Sequence, residues 1–368
     1  MLQKALVLVL VVASITGFTS CGTTANHYIY ASLSAANQII VYREDPNSGV
    51  LTQIAGSPYT VGNGVISLAL HPSGKFLYAA NPGTGGNAEN DISLFKIASN
   101  GALTEVFPRT SVAPAASQPE LLRIDSAGAF LYVVNAGSQN ISVFSIASST
   151  GALTPVGTPF FVGATPLNMQ LTPSGNFLFV SIAGPTSGTI LSFSTNSGVL
   201  ALVSGINTDG PNPDGLAVDP KGAYLYASNY SSNSISIFTI GTPSPGALQG
   251  VHGSPLTSGY IAPLALTLDP KGQYLYVANQ GSNNVAAYSL NSTTHLPNIL
   301  TTSTTTGAFA TEGSPSFLVF DPSGKYLYVG NQGSSAGIQA FSVSAGNLTA
   351  ISTYGVGNTP SSIVVLGK

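Results

Sequence analysis

DPKGQYLYVAN, residues 269 to 279, is the stretch of this sequence that decides the fold. Proline fixes φ at a value that suits the second position of a tight turn, and the glycine accepts a positive φ. The Tyr-Leu-Tyr-Val run that follows is rich in residues that favour β-strands. The stretch therefore predicts a hairpin turn that leads directly into a strand.

Related copies of this stretch recur about every 50 residues, a period typical of one four-stranded propeller blade. The other copies are HPSGKFLYAAN from His71, DSAGAFLYVVN from Asp125, TPSGNFLFVSI from Thr172, DPKGAYLYASN from Asp219 and DPSGKYLYVGN from Asp321. A short apolar strand precedes each copy, usually with proline at its start, where a strand tolerates proline. A third strand and a glycine-containing hairpin to a fourth strand follow. Each repeat therefore predicts four antiparallel strands.

The third strands number seven, whereas the full turn motif occurs six times. They begin at Ile39, Ile92, Ile141, Ile190, Ile235, Val285 and Ile338. The chain ends supply the missing parts, because Tyr28–Ser32 matches Tyr224–Ser228 without its turn and Pro360–Leu366 resembles an inner strand. Pairing of the last strand with the first would satisfy two open sheet edges. We therefore expect an all-β, seven-bladed propeller over residues 27–368, closed by the C-terminal strand.

The N-terminal residues are typical of an export signal. Lys4 precedes an apolar run, residues 5–15, which is too short to span a bilayer permanently but suits a signal peptide. Phe18-Thr19-Ser20-Cys21 resembles a bacterial lipobox, in which the cysteine is lipidated. We expect a signal peptide over residues 1–20, a tether over residues 21–26 and a membrane anchor at Cys21 in the cell envelope. The alternative is ordinary signal cleavage beside an incidental cysteine, which also exports the protein.

Composition restricts the partners. Charged residues make up only 6% of the chain, and 10 basic against 13 acidic residues give a net charge of -3 without any basic run. Nucleic acid is therefore excluded as a partner, because nothing in the chain would neutralise a phosphate backbone. The single cysteine allows no intrachain disulfide. We expect a monomer with no cofactor, and no cluster of metal ligands is visible in the sequence.

The Tyr-Val-x-Asn strands and Asp-Pro-x-Gly turns resemble those of YVTN-type propellers and of the seven-bladed lactonase family, which includes 6-phosphogluconolactonase-like proteins. The resemblance covers residues 28–368 and implies the propeller fold and action on a lactone. Enzymes of that family carry a Pro-His pair that enters an inner strand, with arginine and glutamate around the central cavity. Here the prolines of six inner strands are followed by Glu120, Leu167, Asp214, Leu264, Ser316 and Ser361. No histidine occupies these positions, so no catalytic residue is carried over.

Phosphate binding has few candidates in this chain. Four lysines, Lys75, Lys221, Lys271 and Lys325, belong to the repeated turns, which we expect on the face opposite the ligand loops. A phosphorylated lactone would need cationic ligands on the loop face. The sequence therefore does not favour a phosphorylated sugar lactone.

The candidate site lies on the face where loops enter the inner strands. Glu120 and Asp214 recur at equivalent positions there, with Arg123 three residues beyond Glu120 and Asn168 on the blade between. Two carboxylates can position a water or bind a cation, and an arginine can hold a substrate carboxylate. The alternative is that the carboxylates are solvated strand starts and that Arg123 pairs with Glu120 between blades.

Asp209, Tyr230 and Tyr260 on the same rim are further candidates for ligand binding, because tyrosine rings stack on carbohydrates. Two functional hypotheses follow. The first, which the absence of catalytic clusters favours, is an envelope lipoprotein whose loop face binds a glycan, another polymer or a protein. The second is a lactone hydrolase or isomerase that acts outside the cytoplasm through Glu120, Arg123 and Asp214.

Overall fold

The computed structural model describes residues 27–84, 89–114, 116–301, 306–333 and 336–367. The predicted signal peptide and tether, including Cys21, lie outside these ranges. Within them the chain forms seven antiparallel sheets, and its helical structure consists of two 3-10 turns, Ser34–Ala36 and Asn196–Gly198. The predicted seven-bladed, all-β propeller is confirmed.

No helix within the described ranges is long and apolar enough to cross a membrane.

The blades follow one another along the chain, and within each blade the strands run in sequence from the channel outward. Blade 1 is the exception, because its innermost strand comes from the end of the chain. Blade 1 contains β1 (His27–Leu33), β2 (Gln38–Glu44), β3 (Leu51–Gln53) and β4 (Tyr59–Thr60). Blade 2 contains β5 (Ser67–Leu70), β6 (Phe76–Asn81), β7 (Asp91–Ile97) and β8 (Leu103–Ser111). Blade 3 contains β9 (Pro119–Ile124), β10 (Phe130–Asn135), β11 (Asn140–Ile146), β12 (Leu153–Pro155) and β13 (Phe160–Phe161). Blade 4 contains β14 (Pro166–Leu171), β15 (Phe177–Ile182), β16 (Thr189–Ser194) and β17 (Ala201–Asn207).

The remaining blades repeat this order. Blade 5 contains β18 (Pro213–Val218), β19 (Tyr224–Asn229), β20 (Ser234–Ile240), β21 (Leu248–Gly250) and β22 (Leu256–Thr257). Blade 6 contains β23 (Pro263–Leu268), β24 (Tyr274–Asn279), β25 (Asn284–Leu290), β26 (Pro297–Ile299) and β27 (Ala308–Ala310). Blade 7 contains β28 (Pro315–Phe320), β29 (Tyr326–Asn331), β30 (Gly337–Ser344) and β31 (Asn347–Gly355), and β32 (Pro360–Gly367) ends the chain. In blades 1, 3, 5 and 6 the outermost strand is divided into two short pieces that pair with the same third strand.

The repeated turn forms as the sequence predicts. The Asp269 carboxylate accepts the backbone N–H groups of Gln273 and Tyr274, each at 2.6 Å. Gly272 has φ +65°, and a Cβ there would lie 2.9 Å from the ring of Pro220 in the preceding blade. The glycine is therefore needed both for the turn and for the close packing of one blade on the next.

The core lies between the blades. Seven apolar clusters in the described residues each span two neighbouring blades, and one of them joins blade 7 to blade 1. Tyrosines of the second strands are fully buried in them. The Tyr78 hydroxyl donates to the Gly151 carbonyl of the next blade at 2.7 Å, and the Tyr328 hydroxyl donates to Gly49 at 3.2 Å. These hydrogen bonds link blade to blade, because the acceptors belong to hairpins of the neighbouring sheet.

Closure of the ring follows the prediction. Strand β32 pairs antiparallel with β1, with Tyr30 opposite Val364 and Ser32 opposite Ser362, so blade 1 takes its innermost strand from the C-terminus. The hydroxyls of Ser32 and Ser361 lie 2.8 Å apart at the end of this pairing. The pairing therefore covers the edge of β1 that would otherwise be open at the seam.

Candidate functional site

A β-bulge at the start of the inner strands builds the loop end of the channel. In blades 3 to 7 the strand's first proline is paired, and the residue after it has no partner before the register resumes. Strand β32 has the same irregularity. The bulged residues are Glu120, Leu167, Asp214, Leu264, Ser316 and Ser361. Bulges redirect side chains and are frequent beside active sites.

Four of these bulged residues line a cavity of about 330 Å³ at the loop end of the channel. They are Leu167, Asp214, Leu264 and Ser316. Arg123 and Asn168 line the same cavity. The structure therefore brings three of the sequence-predicted residues, Arg123, Asn168 and Asp214, to one place.

A second cavity of about 260 Å³ lies on the side of the repeated turns, where Asp269 and Pro270 form part of its wall. Both cavities share four lining residues, Arg123, Leu216, Leu266 and Leu318. These four residues therefore separate the two cavities. The guanidinium group of Arg123 is the positively charged group at this level of the channel, within the part of the chain that the structure describes.

Asp214 is half-buried, and desolvation in the cavity raises the pKa of its carboxyl to about 6. The backbone carbonyl of Asp214 accepts a hydrogen bond of 2.7 Å from the side-chain amide of Asn168. The amide oxygen of Asn168 accepts the N–H of Met169, also at 2.7 Å. Asn168 therefore holds the bulge of the neighbouring blade in place. A carboxyl whose pKa is about 6 is ionised and still moderately basic at neutral pH.

Arg123 carries its charge without a carboxylate partner. Its guanidinium donates to the Leu122 carbonyl at 3.0 Å, and none of the ion pairs within the described ranges includes it. The alternative prediction, an ion pair of Arg123 with Glu120, is therefore wrong. Desolvation lowers the pKa of Arg123 to about 10, so the group stays cationic at neutral pH. Such a group is available to a carbonyl or carboxylate oxygen of a ligand.

Glu120 and Asp214 both follow the opening proline of an inner strand, but they differ in exposure and in their position relative to the cavity. Glu120 is exposed and does not line either channel cavity, and partial desolvation by the surrounding protein raises the pKa of its carboxyl. The carboxylate of the channel site is therefore Asp214, with Glu120 outside the cavity.

The three rim candidates lie apart from the channel cavities. Asp209 is exposed, and its carboxylate accepts the Ser234 hydroxyl at 2.8 Å. The Tyr230 hydroxyl donates to the side-chain oxygen of Gln280 at 2.9 Å. Tyr260 lines a separate groove of about 520 Å³ between blades 5 and 6. These residues remain candidates for ligand binding at the rim, and they do not contribute to the channel site.

The structure also assembles one group of metal-ligand side chains that sequence reasoning missed. His27, Glu44 and Asp321 are buried together where blade 7 meets blade 1, and none of them lines the channel. Sequence reasoning offered no cluster of metal ligands, and this group is one that could hold an ion. The ligands were not recognised because ring closure, and not their spacing in the sequence, brings them together.

The fold and the channel site define a class, the seven-bladed β-propellers with a ligand cavity at the loop end of the central channel. The sequence profile described as "Lactonase, 7-bladed beta-propeller" matches residues 56–167 and 167–261. The chain belongs to this family.

Solved structures share the whole architecture. A candidate 6-phosphogluconolactonase from Bacteroides uniformis has a TM-score of 0.78 and 18% identity, with 93% of this chain and 100% of that chain covered. A candidate 6-phosphogluconolactonase from Bacteroides fragilis has a TM-score of 0.77 and 20% identity over 94% and 99%. The periplasmic gluconolactonase PpgL of Pseudomonas aeruginosa has a TM-score of 0.72 and 18% identity over 93% and 99%. At these identities the likeness concerns the fold. No curated protein matches the chain significantly.

Proposed function

We propose that this protein hydrolyses a lactone at the loop end of its channel. The observation that carries the proposal is that two groups line one cavity of about 330 Å³: the basic carboxylate Asp214 and the cation Arg123, which forms no ion pair with any residue that the structure describes. Cavities of this size accept small-molecule ligands. Membership of a lactonase family favours this hypothesis over the binding module, for which the comparisons offer no specific support.

In the proposed reaction Asp214 is the general base. Above its pKa of about 6 the carboxylate accepts a proton from a water molecule, whose oxygen attacks the lactone carbonyl carbon. Arg123 donates hydrogen bonds to the carbonyl oxygen as negative charge develops on it. The ring C–O bond then breaks, and the departing ring oxygen takes the proton from Asp214. The product is a hydroxy acid, which ionises and releases one proton to solution.

The substrate class follows from the charges around the cavity. Arg123 is the single lysine or arginine among the residues that line the two channel cavities, and the turn lysines are absent from both linings. A phosphate dianion would require more cationic contacts than one guanidinium supplies. One positive charge suits the carbonyl of a lactone and the carboxylate of its product. We therefore propose an unphosphorylated lactone, such as a sugar lactone of the gluconolactone type.

The test is the rate of hydrolysis of δ-gluconolactone, 6-phosphogluconolactone and dihydrocoumarin by the purified protein, followed by proton release and corrected for spontaneous hydrolysis. Asp214→Asn keeps the shape of the side chain and removes its basicity, and we expect a loss of roughly 10²- to 10⁴-fold in kcat. Arg123→Met should reduce kcat/KM for the same substrate. The unphosphorylated lactones should react faster than the phosphorylated one.

Glu312→Gln is the matched control, because Glu312 is an exposed carboxylate outside both channel cavities. It should keep the activity of the unaltered protein. Equal rates for Asp214→Asn and the unaltered protein would refute the assignment of the base. Failure of the unaltered protein to hydrolyse any of these lactones would refute the proposed activity and favour the hypothesis that the loop face is a binding module.

We also propose that this protein is anchored to the membrane through a lipid at Cys21 and that its channel faces a compartment outside the cytoplasm. The support is the sequence of residues 1–21, with its apolar run and lipobox-like end. Labelling of cells with a radioactive or alkyne fatty acid should mark the protein, and Cys21→Ser should abolish the label. Labelling that survives Cys21→Ser, or no labelling of the unaltered protein, would contradict the anchor.

A further inference from the structure

Closure of the ring brings together three ionisable side chains from separate segments of the chain. His27 begins β1 and lies opposite Glu44, the last residue of β2, while Asp321 opens the repeated turn after β28 in blade 7. The His27 Nδ1 atom lies 3.3 Å from the Glu44 Oε2 atom. One ligand atom from each of the three side chains lies within 4.8 Å of the other two.

Glu44 occupies a position that is aliphatic in five of the other six blades. The residues at the same place in their hairpins are Ile97, Ile146, Ile240, Leu290 and Val343. The Glu44 side chain is 0% exposed, and neither carboxylate oxygen has a hydrogen-bond partner in the described residues. The Tyr328 hydroxyl lies beside this carboxylate and 3.2 Å from the Gly49 carbonyl, and its single hydrogen can serve only one of these two acceptors. A fully buried carboxylate is strongly unfavourable unless a proton, a protonated imidazole or a metal ion neutralises it.

The Asp321 carboxylate accepts three hydrogen bonds in its turn, as that of Asp219 does, but distributes them differently: its Oδ2 atom accepts both the N–H and the hydroxyl of Ser323, which leaves a lone pair on Oδ1. The Oδ1 atom of Asp219 accepts the backbone N–H groups of both Ala223 and Tyr224. The Oδ1 atom of Asp321 accepts the N–H of Tyr326, whereas the N–H of Lys325 donates to the Ser323 hydroxyl. Asp321 is also 1% exposed. Its carboxylate is therefore held by the turn and retains acceptor capacity next to Glu44.

A divalent cation would balance the two negative charges of the Glu44 and Asp321 carboxylates. Two buried carboxylates stand beside one imidazole, and no lysine or arginine forms an ion pair with either of them in the described ranges. Zinc binds imidazole nitrogen and carboxylate oxygen at roughly 2.0 to 2.2 Å, so two ligands of one ion lie about 3 to 4.4 Å apart. The three ligand atoms already approach that spacing. One nitrogen and two oxygen donors suit Zn²⁺ and its transition-metal neighbours.

We propose that His27, Glu44 and Asp321 bind a divalent transition-metal ion, with Zn²⁺ as the reference ion, which fastens blade 7 to blade 1 where the ring closes. The ion neutralises Glu44 and Asp321 and joins β1, β2 and the turn after β28. None of the three residues lines the channel cavities, and the site is independent of the proposed lactone hydrolysis. Its role is structural, because binding to the closed ring stabilises that state over the open one.

The test uses the full chain, freed of metal with a chelator and then titrated with ZnCl₂ by calorimetry. We expect one equivalent to bind and the thermal midpoint to rise with zinc concentration. CoCl₂ in place of zinc should give visible absorption bands of a nitrogen- and oxygen-ligated ion. Glu44→Gln and His27→Gln should each weaken zinc binding by at least 10-fold.

His252→Gln and Glu312→Gln are the controls, since both residues are exposed and lie outside the cluster. They should leave zinc affinity unchanged. Glu44→Leu restores the aliphatic residue of blade 6 and should fold without binding zinc, which keeps the test decisive if Glu44→Gln is unstable. Absence of zinc binding by the unaltered protein, or full zinc affinity in Glu44→Leu, would overturn the proposal. Neither result would bear on lactone hydrolysis by the channel.

Discussion

Replacing Asp214 with asparagine is expected to stabilise the protein at neutral pH while it greatly slows the proposed reaction. The pKa of the Asp214 carboxyl is raised from 3.8 to about 6 by desolvation. Because the folded state holds the proton more tightly than the unfolded state, ionisation of this group favours unfolding. The unaltered protein therefore loses stability as the pH rises from about 4 to about 6, and the loss is complete above about 7.

The size of the effect follows from the shift. A change of about two pKa units corresponds to about 3 kcal/mol at roughly 1.4 kcal/mol per unit. Because Asp214 is only half-buried and solvent screens its charge, we expect about 1 to 1.5 kcal/mol. Asparagine has the same shape without the charge, so the stability advantage of Asp214→Asn should be near zero at pH 4 and reach this value at pH 7.

The assay is urea unfolding at pH 4, 5, 6, 7 and 8 at constant ionic strength, with the difference between the variant and the unaltered protein taken at each pH. Glu312→Gln, measured in parallel, accounts for the general effect of losing one negative charge. An Asp214→Asn variant that is less stable at pH 8, or a difference that does not change with pH, would refute the reasoning about desolvation.

Three further changes test the packing of the ring. Gly101→Ala should destabilise by about 2 to 4 kcal/mol in thermal unfolding, because Gly101 has φ +82° and a Cβ would lie 2.4 Å from the Tyr28 ring; an unchanged midpoint would contradict this. Tyr78→Phe should cost about 1 to 2 kcal/mol, since it leaves the buried Gly151 carbonyl without its donor, and a neutral effect in urea unfolding would count against the inter-blade bonds. Deletion of residues 360–368 should expose the edge of β1 and cause aggregation visible in size-exclusion chromatography, whereas a stable monomer would show that closure by β32 is dispensable.

The fold could be predicted from the sequence because its determinants are local and repeated. Asp269 and Gly272 specify a turn within a few residues, and every copy of that turn repeats the same two hydrogen bonds between backbone groups. The match of residues 28–32 with a second strand that lacks its turn, together with the resemblance of residues 360–366 to an inner strand, predicted the closing pair of β1 and β32. The breaks in the outermost strands of four blades were not predicted, since those short strands carry no repeated motif.

The site was predictable only in part, because it depends on burial around the ring. Glu120 and Asp214 both follow a strand-opening proline, yet only Asp214 lines the cavity. Asn168 was proposed as a ligand contact, whereas its amide holds the backbone of Asp214. A signal for the metal cluster was present, since Glu44 stands at a position that is aliphatic in five of the other six blades. Its partner Asp321 could not be assigned, because only the assembled ring brings blade 7 beside blade 1.

The most direct test of the account is a crystal structure of the protein with gluconate, the hydroxy acid product of the proposed reaction, bound to it. The account predicts gluconate in the cavity at the loop end of the channel, with its carboxylate on the Arg123 guanidinium and Asp214 within hydrogen-bonding distance. Gluconate in the groove beside Tyr260, or a channel that remains without gluconate at saturating concentration, would contradict the account.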